Sequence, residues 1–356
     1  MENAKSKKMH LEILRIICIF FVIFNHTAPG GYLGFVGESN VFLYSLYLGF
    51  SVLCKIAVPV FFMISGALLL GRSEPLRVLL TKRVLRMVIV LLAFSVLHYL
   101  VLPPTPSRSI GGFFRTFYTS TATTSLWYLY VYIGFLLMLP FLRAMAVRLK
   151  EKDYIYLLVL HLLFTVTLTA VDAFVFTEGH NEYITLAIAL ESNIFYPLMG
   201  YYVESVMPKS RFNRKNYLLA GGAGIAAIIL TCVVSVLYYG TRSSRMESAD
   251  YETCFGILLC VPVIALYYIF KGTFKMKHDG FMRRFVTQLG AAVFGVYLIE
   301  KFVRLLLGPV WRAMIPMTGG FVAAIAIVLM TMVIGFAIIC LLKNIPFVKK
   351  IVNQFI

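Results

Sequence analysis

Hydrophobic residues run through this chain in long blocks separated by short polar segments. Ten blocks approach the length of about 20 predominantly apolar residues that lets a helix cross the hydrocarbon core of a bilayer. Their approximate limits are 10–28, 46–70, 85–102, 125–142, 154–176, 184–204, 217–239, 252–270, 287–307 and 319–342. The pattern predicts an all-α, polytopic integral membrane protein with about ten transmembrane helices.

Lysine and arginine are distributed unevenly over the segments between these blocks. If the chain starts on the inner side, twenty-four of them fall on that side, five fall on the other side and four lie within helices. Because loops rich in Lys and Arg stay in the cytoplasm, both termini are predicted to be cytoplasmic. The outer segments at 103–124 and 240–252 are too short to fold separately, so residues 1–356 are interpreted as one membrane-embedded domain.

Composition supports a membrane protein and narrows the choice of partners. Of the 356 residues, 60% are hydrophobic and 14% are charged, which is too apolar for a soluble chain of this length. The net charge of +17 lies in short clusters between apolar blocks, so we do not expect a nucleic-acid partner. The six cysteines lie in or beside apolar blocks, no zinc-binding spacing of histidines occurs, and no metal is predicted.

The first apolar block carries an arginine and a histidine, Arg15 and His26. They are eleven residues apart, which is about three helical turns, so they lie on one face of the helix about 16 Å apart. Ionisable side chains inside a membrane are rare and usually functional. For each residue taken alone a structural explanation also exists, namely snorkelling of Arg15 to the headgroups and packing of His26 near the interface.

The second block contains Lys55 well inside its apolar run, followed by Pro59 and the pair Ser65–Gly66. Pro59 removes a backbone donor and should kink the helix. Ser65 and Gly66 permit close approach of a ligand or of another helix. Lys55 either faces a polar cavity or uses its long stem to reach the interface.

Two arginines, Arg83 and Arg86, lie at the inner rim of the third helix. Their spacing of three suits a clamp for the phosphates of a nucleotide-like ligand, although basic residues there also simply mark the cytoplasmic side.

Later blocks add acidic and aromatic candidates. Glu300 and Arg304 lie in the outer half of the ninth helix, and their spacing of four suits an ion pair that either lines a cavity or is only structural. Glu191 lies in the sixth block, and Trp127 and Tyr128 begin the fourth at the outer face. There the two aromatic residues also fit the ordinary interfacial belt.

Several of these segments together resemble the acyltransferase 3 family of ten-helix membrane acyltransferases. They are Arg15 with His26, VPVFFMISGALL at 58–69, Arg83 with Arg86, LWYLYVYIG at 126–134 and FGVYLIE at 294–300. The first two look closest to a Gram-positive branch that includes the membrane domain of vancomycin-resistance serine racemases. Two positions depart from the family pattern, because Glu300 and the pair Ser125–Leu126 stand where members often have histidines.

The resemblance implies an O-acyltransferase in the cytoplasmic membrane. Its co-substrate is acyl-CoA, in the first instance acetyl-CoA, and its partners are membrane lipids and a cell-wall, capsular or lipid-linked sugar that accepts the acyl group on a hydroxyl. The implied roles are catalysis by His26, Arg15 and Glu300, binding of acyl-CoA by Arg83, Arg86, Ser65 and Gly66, and binding of the acceptor by Lys55, Trp127, Tyr128 and Glu191.

The alternative function is a proton-coupled transporter of a small amino acid such as serine. A channel lined by His, Glu, Lys and Arg is equally typical of such a carrier. The R-x-x-R pair favours the transferase, since a serine carrier needs no phosphate clamp.

Overall fold

The computed structural model describes residues 8–28, 30–102, 109–121, 123–175, 192–241, 250–274 and 280–344. Throughout these ranges the regular structure is helical, as the apolar blocks predict. The helices are numbered along the chain as α1 (Met9–Asn25), α2 (Val41–Cys54), α3 (Ala57–Leu69), α4 (Leu76–Val101), α5 (Ile110–Thr119), α6 (Trp127–Arg148), α7 (Glu151–Phe174), α8 (Ser192–Tyr201), α9 (Arg214–Thr241), α10 (Cys260–Thr273), α11 (Phe281–Leu306), α12 (Gly308–Thr318) and α13 (Gly320–Asn344).

Within the described ranges, six segments are long and apolar enough to cross a membrane by length and composition. They are the α2–α3 pair, α4, α6, α7, α9 and α13. The helices at the four remaining predicted spans are α1, α8, α10 and α11. Of these, α1 and α10 are shorter, α11 carries five charged residues, and α8 is described only from Ser192 onward. The count of ten and the cytoplasmic termini therefore stay predictions. Below, the inner end of the bundle is where α1 begins and the outer end is where α1 ends.

The second and eighth predicted spans differ from continuous helices. The second is broken at Lys55 and Ile56, between α2 and α3, because Pro59 cannot donate a hydrogen bond to the carbonyl of Lys55 four residues earlier. The span predicted at 252–270 begins instead with a short 3₁₀ turn at Asp250–Glu252 and becomes α-helical only at Cys260. Both irregular segments lie beside the cavity described below.

α1 lies at the centre of the bundle. It packs against α2, α3, α10, α11 and α13. Arg15, Ile19, Val22 and His26 recur along α1 and at its end with helical spacing, and all four border one internal cavity. The helix face on which the sequence places Arg15 and His26 is therefore an internal surface of the protein.

Two glycines let α3 and α8 cross in backbone contact. A Cβ on Gly66 would lie 1.9 Å from the carbonyl oxygen of Pro197, and a Cβ on Gly200 would lie 2.0 Å from that of Met63. Small residues permit such close approach of helices in membranes. The crossing fixes the position of α3, which forms one wall of the cavity.

Polar contacts at the inner end hold the start of α1 in place. Lys8 Nζ donates to Oε1 of Glu204 at 2.8 Å, and His10 Nε2 lies 3.2 Å from Oε2 of the same carboxylate. The hydroxyl of Tyr267, on α10, also donates to Oε2 of Glu204 at 3.2 Å. Glu204 follows α8 in a π-helical turn, so these bonds connect α1, α8 and α10.

Candidate active site

A cavity of about 1150 Å³ follows the polar face of α1. Arg15 lies in its lining toward the inner end and His26 toward the outer end, about 16 Å apart along the helix. The opposite walls come from α3, α6 and α11 and include Phe62, Tyr128 and Tyr297. A mostly apolar lining with a few placed polar groups is typical of a ligand site.

The imidazole of His26 is hydrogen-bonded through Nδ1 to a buried carboxylate. Its Nδ1 lies 2.9 Å from Oε1 of Glu300, which is fully buried. Because an ionised carboxylate only accepts hydrogen bonds, this contact places the proton of the neutral imidazole on Nδ1. His26 lines the cavity whereas Glu300 does not, so the unprotonated Nε2 is the ring nitrogen presented to it. No described residue is hydrogen-bonded to Nε2.

Arg304 provides the charge that makes a buried Glu300 tolerable. Its Nε donates to Oε2 of Glu300 at 2.5 Å, and its Nη1 donates to the backbone carbonyl of His26 at 2.6 Å. A buried carboxylate is stable only when it is paired and hydrogen-bonded. Arg304 therefore neutralises Glu300 and also satisfies a carbonyl at the end of α1. The predicted Glu300/Arg304 pair is present, and His26 from a distant part of the chain joins it.

Ser125 completes the surroundings of Glu300. Its Oγ donates to Oε1 of Glu300 at 3.1 Å, and the hydroxyl of Tyr297 donates to its backbone carbonyl. Ser125 is one of the positions where the family resemblance leads one to expect a histidine. Here a hydroxyl supports the carboxylate instead, and the carboxylate orients His26.

Arg15 lines the cavity as an ion-paired cation. Its Nη1 donates to Oε1 of Glu12, one turn earlier, at 2.9 Å. Glu12 is buried against Gly290 of α11, where a Cβ would lie 2.1 Å from Oε2 of Glu12, so only glycine leaves room for this carboxylate. Oε2 is buried and has no hydrogen-bond partner among the described residues. Arg15 is thus held toward the cavity by an internal carboxylate.

The predicted residues of α3 and α6 divide between the cavity and helix packing. Ser65, Trp127 and Tyr128 all belong to the lining. The hydroxyl of Ser65 donates to the carbonyl of Phe61 at 2.9 Å. Gly66 packs against α8 and is not part of the cavity lining, and its predicted contact with acyl-CoA stays a prediction.

Lys55 reaches the cavity from the break between α2 and α3. Its Nζ donates to Oε2 of Glu252 at 2.5 Å and lies 5.2 Å above the centre of the Tyr32 ring. All three residues line the cavity. Lys55 is therefore part of an internal ion pair, and its predicted contact with an acceptor would be made from that position.

The arginines of the R-x-x-R pair lie outside the cavity lining, at the inner end. Arg83 Nε donates to Oε1 and Oε2 of Glu74 at 2.9 and 3.1 Å, and Arg143 Nη2 donates to Oε1 at 2.8 Å. Burial opposes ionisation of Glu74, but the hydrogen bonds from the two arginines outweigh it and lower the pKa of this carboxyl. Nε of Arg86 is buried without a hydrogen-bond partner in the described part of the chain.

Some functional candidates were not found from the sequence. Glu74 is a lone acidic residue in a basic inner loop, and that contrast was the available signal for its pairing with arginines. Glu252 was assigned to the start of a transmembrane span, so its role in the lining was missed. Glu191 lies outside the described residues, and its predicted role stays a prediction. In the described ranges no group of three His, Cys, Asp or Glu side chains is arranged to hold a metal ion.

Comparison with known protein families gives a match over most of the chain. A family model described as an acyltransferase domain matches residues 10–340. This range contains every cavity residue named above. No curated protein and no solved structure matches the chain.

Proposed function

The chain belongs to the acyltransferase 3 family, and from this premise we propose that it is a membrane O-acyltransferase that uses acyl-CoA, in the first instance acetyl-CoA. The acyl group moves from acyl-CoA at the inner face of the cytoplasmic membrane to a hydroxyl of a cell-wall, capsular or lipid-linked sugar at the outer face. The observation that carries the proposal is the cavity that joins Arg15 to His26, whose Nδ1 is held by Glu300 while its Nε2 has no partner among the described residues.

In this mechanism His26 acts as the general base. Its Nε2 removes the proton from the acceptor hydroxyl while the hydroxyl oxygen attacks the thioester carbonyl. The carbon–sulfur bond then breaks, and the protonated imidazole returns the proton to the departing CoA thiolate. Glu300 orients the ring and stabilises its protonated form, as the carboxylate does in other acid–base dyads. Arg304 keeps that carboxylate ionised in its buried position.

Arg15 acts on the donor side of the cavity. A cation in a poorly solvated cavity favours negative charge that develops on the thioester oxygen or is carried by the donor. Glu12 fixes the guanidinium at 2.9 Å, so little reorganisation is needed when the donor enters. The apolar walls of α3 and α6 then enclose the uncharged arm of acyl-CoA and exclude water from the thioester.

The phosphates of acyl-CoA are assigned to the arginine cluster at the inner end. Arg83 and Arg143 already hold one carboxylate, that of Glu74, in the geometry that guanidinium groups also use for phosphate. Glu74 is then an internal anion that competes with the phosphates. Arg86 is the second guanidinium of the R-x-x-R segment, and its buried Nε, which has no hydrogen-bond partner among the described residues, would gain one from a phosphate oxygen.

The substitution Arg83→Met should raise the KM for acetyl-CoA about tenfold with kcat nearly unchanged, because it removes binding that is equal in the ground and transition states. Glu74→Gln should lower the KM, since it removes the competing charge. Initial rates of CoA release over a range of acetyl-CoA concentrations measure both effects. Arg72→Met, at an exposed arginine of the same loop, is the control. An unchanged KM in Arg83→Met would remove this cluster from the binding site.

The sidedness of the reaction tests the proposed function directly. Membrane vesicles of both orientations are prepared with the protein, and acetyl-CoA labelled in the acetyl group is added outside. We expect CoA release and labelled glycan only in inside-out vesicles, because only there does the donor reach the inner end. Equal labelling in both orientations, or labelling only in right-side-out vesicles, would contradict a donor site at the inner face.

A further inference from the structure

The ion pair between Lys55 and Glu252 is not used by the mechanism above. Both side chains line the cavity, toward the end that also carries His26, and each is about one-third exposed there, at 28% and 38%. The other charged groups around the cavity are already neutralised, since Arg15 is paired with Glu12 and Glu300 with Arg304. Lys55 differs from Arg15 because its ion-pair partner, Glu252, also lines the cavity.

Lys55 lies next to the reacting histidine. The side-chain Nδ2 of Asn25 donates to the carbonyl of Cys54 at 3.3 Å. His26 follows Asn25 in the chain, and Lys55 follows Cys54. Lys55 and the base therefore leave the backbone at neighbouring points, on the side where the proposed acceptor enters.

Two other lining residues carry hydrogen-bonding atoms that have no partner in the described part of the chain. Oδ1 of Asn25 and Oδ1 of Asn193 are buried in the lining and have no hydrogen-bond partner among the described residues. The buried hydroxyl of Tyr32 interacts with the carboxylate of Glu252. Buried polar groups are normally hydrogen-bonded, so the two asparagine oxygens favour a ligand that brings hydrogen-bond donors, such as the hydroxyl groups of a sugar.

We propose that Lys55, Glu252, Asn25, Asn193 and Tyr32 form an acceptor subsite for a sugar that carries an anionic group close to the acylated hydroxyl. Lys55 binds the carboxylate or phosphate of the sugar, the unused Oδ1 atoms of Asn25 and Asn193 bind its hydroxyls, and the hydroxyl of Tyr32 turns to the sugar when Glu252 is displaced. This inference rests on the proposed function and specifies its acceptor as an acidic rather than a neutral sugar.

Glu252 is the carboxylate that the acceptor displaces. It is carried by a three-residue 3₁₀ turn, whereas Lys55 lies between two helices and donates its backbone N–H to Val52. The aromatic face of Tyr32, 5.2 Å from Nζ, also holds the ammonium group in place. The exchange replaces one carboxylate with another anion at Lys55 and releases Glu252 toward solvent, so no buried charge is left unpaired.

The test measures binding without catalysis, so that it is independent of acyl transfer. Purified protein in nanodiscs is titrated with methyl glucuronide, glucose 1-phosphate, methyl glucoside and serine. The variants are Lys55→Met and Glu252→Gln, with Lys215→Met, at an exposed lysine of α9, as the matched control. Thermal unfolding of each variant without ligand shows that it is folded.

We expect the glucuronide or the sugar phosphate to bind at least about tenfold more tightly than the glucoside, as for a charge pair that is partly buried. Lys55→Met should abolish this preference, Glu252→Gln should strengthen it, and Lys215→Met should leave it unchanged. The stronger of the two acidic ligands identifies carboxylate or phosphate as the group recognised.

Equal binding of the glucoside and the acidic sugars, or a preference that survives in Lys55→Met, would overturn the subsite. Serine binding that depends on both Lys55 and Glu252 would also overturn it, because the pair would then recognise the two charges of an amino acid. If the acidic sugars bind as expected but no acyl transfer occurs, the proposed function fails while the subsite stands.

Discussion

Glutamine in place of His26 is expected to lower kcat for acyl transfer by about three orders of magnitude, within the range that a positioned general base contributes. The amide can still reach Glu300 by hydrogen bonding, so the cavity keeps its shape, but it cannot accept the proton of the acceptor hydroxyl. The KM for acetyl-CoA should stay within about twofold, because His26 lies about 16 Å from Arg15 along α1. Steady-state kinetics with purified protein separate the two constants.

His161→Gln is the control for this substitution. His161 stacks on Phe195 with ring centroids 3.8 Å apart and lies outside the cavity lining. The substitution removes an imidazole from the membrane region but leaves the proposed catalytic residues unchanged. If His26→Gln retains more than a tenth of the parent kcat, the imidazole is not the base.

The second large effect is structural and concerns the crossing of α3 and α8. Alanine at Gly66 places a methyl group 1.9 Å from the carbonyl oxygen of Pro197, and no side-chain rotation can relieve a contact with backbone. We expect a loss of at least about 3 kcal/mol of stability, at the upper end of overpacking effects. The expected observation is a lower unfolding temperature and a smaller monodisperse fraction after solubilisation.

Gly134→Ala is the matched control for the crossing. Gly134 also lies inside a helix, but nothing lies within 4 Å of a Cβ placed there. The substitution should be neutral or stabilising by up to about 1 kcal/mol, because alanine has the higher helix propensity. Similar unfolding temperatures for Gly66→Ala and Gly134→Ala would show that α3 and α8 are not in backbone contact.

The helical architecture could be predicted because long apolar blocks have few alternatives in a membrane. Most helix limits differ from prediction by a few residues, but local irregularities were harder to place. Pro59 predicted a kink. The helix is broken at Lys55, the residue whose carbonyl receives no hydrogen bond from this proline. The late start of α10 at Cys260 was missed, since the segment from 252 is as apolar as a helix would be.

The relative positions of the candidate residues could be predicted from the sequence only where the residues share one helix. Arg15 and His26 follow from the period of α1, and Glu300 with Arg304 follows from a spacing of four in α11. The contact between His26 and Glu300 joins residues 274 positions apart, and one sequence has no local signal for such a contact. Glu252 was missed for the same reason, because its partner Lys55 lies on another segment.

Arg83 illustrates a further limit of sequence reasoning. Its position at the inner rim predicted a phosphate-binding arginine, but the bonds to Glu74 could not be foreseen from a spacing of nine residues across a turn. The structure therefore shows that the carboxylate of Glu74 would compete with a phosphate for these arginines, whereas the sequence prediction considered the arginines alone. The roles of both residues in binding acyl-CoA stay predictions.

The most direct measurement of the central claim uses purified protein in proteoliposomes with labelled acetyl-CoA and an extract of envelope glycans. CoA release, transfer of label to glycan, and uptake of serine are followed in parallel for the parent protein and His26→Gln. We expect CoA release and glycan labelling to proceed together in the parent, to vanish in His26→Gln, and to occur without serine uptake. No turnover in the parent, together with serine uptake that His26→Gln abolishes, would contradict it and identify the cavity as a transport pathway.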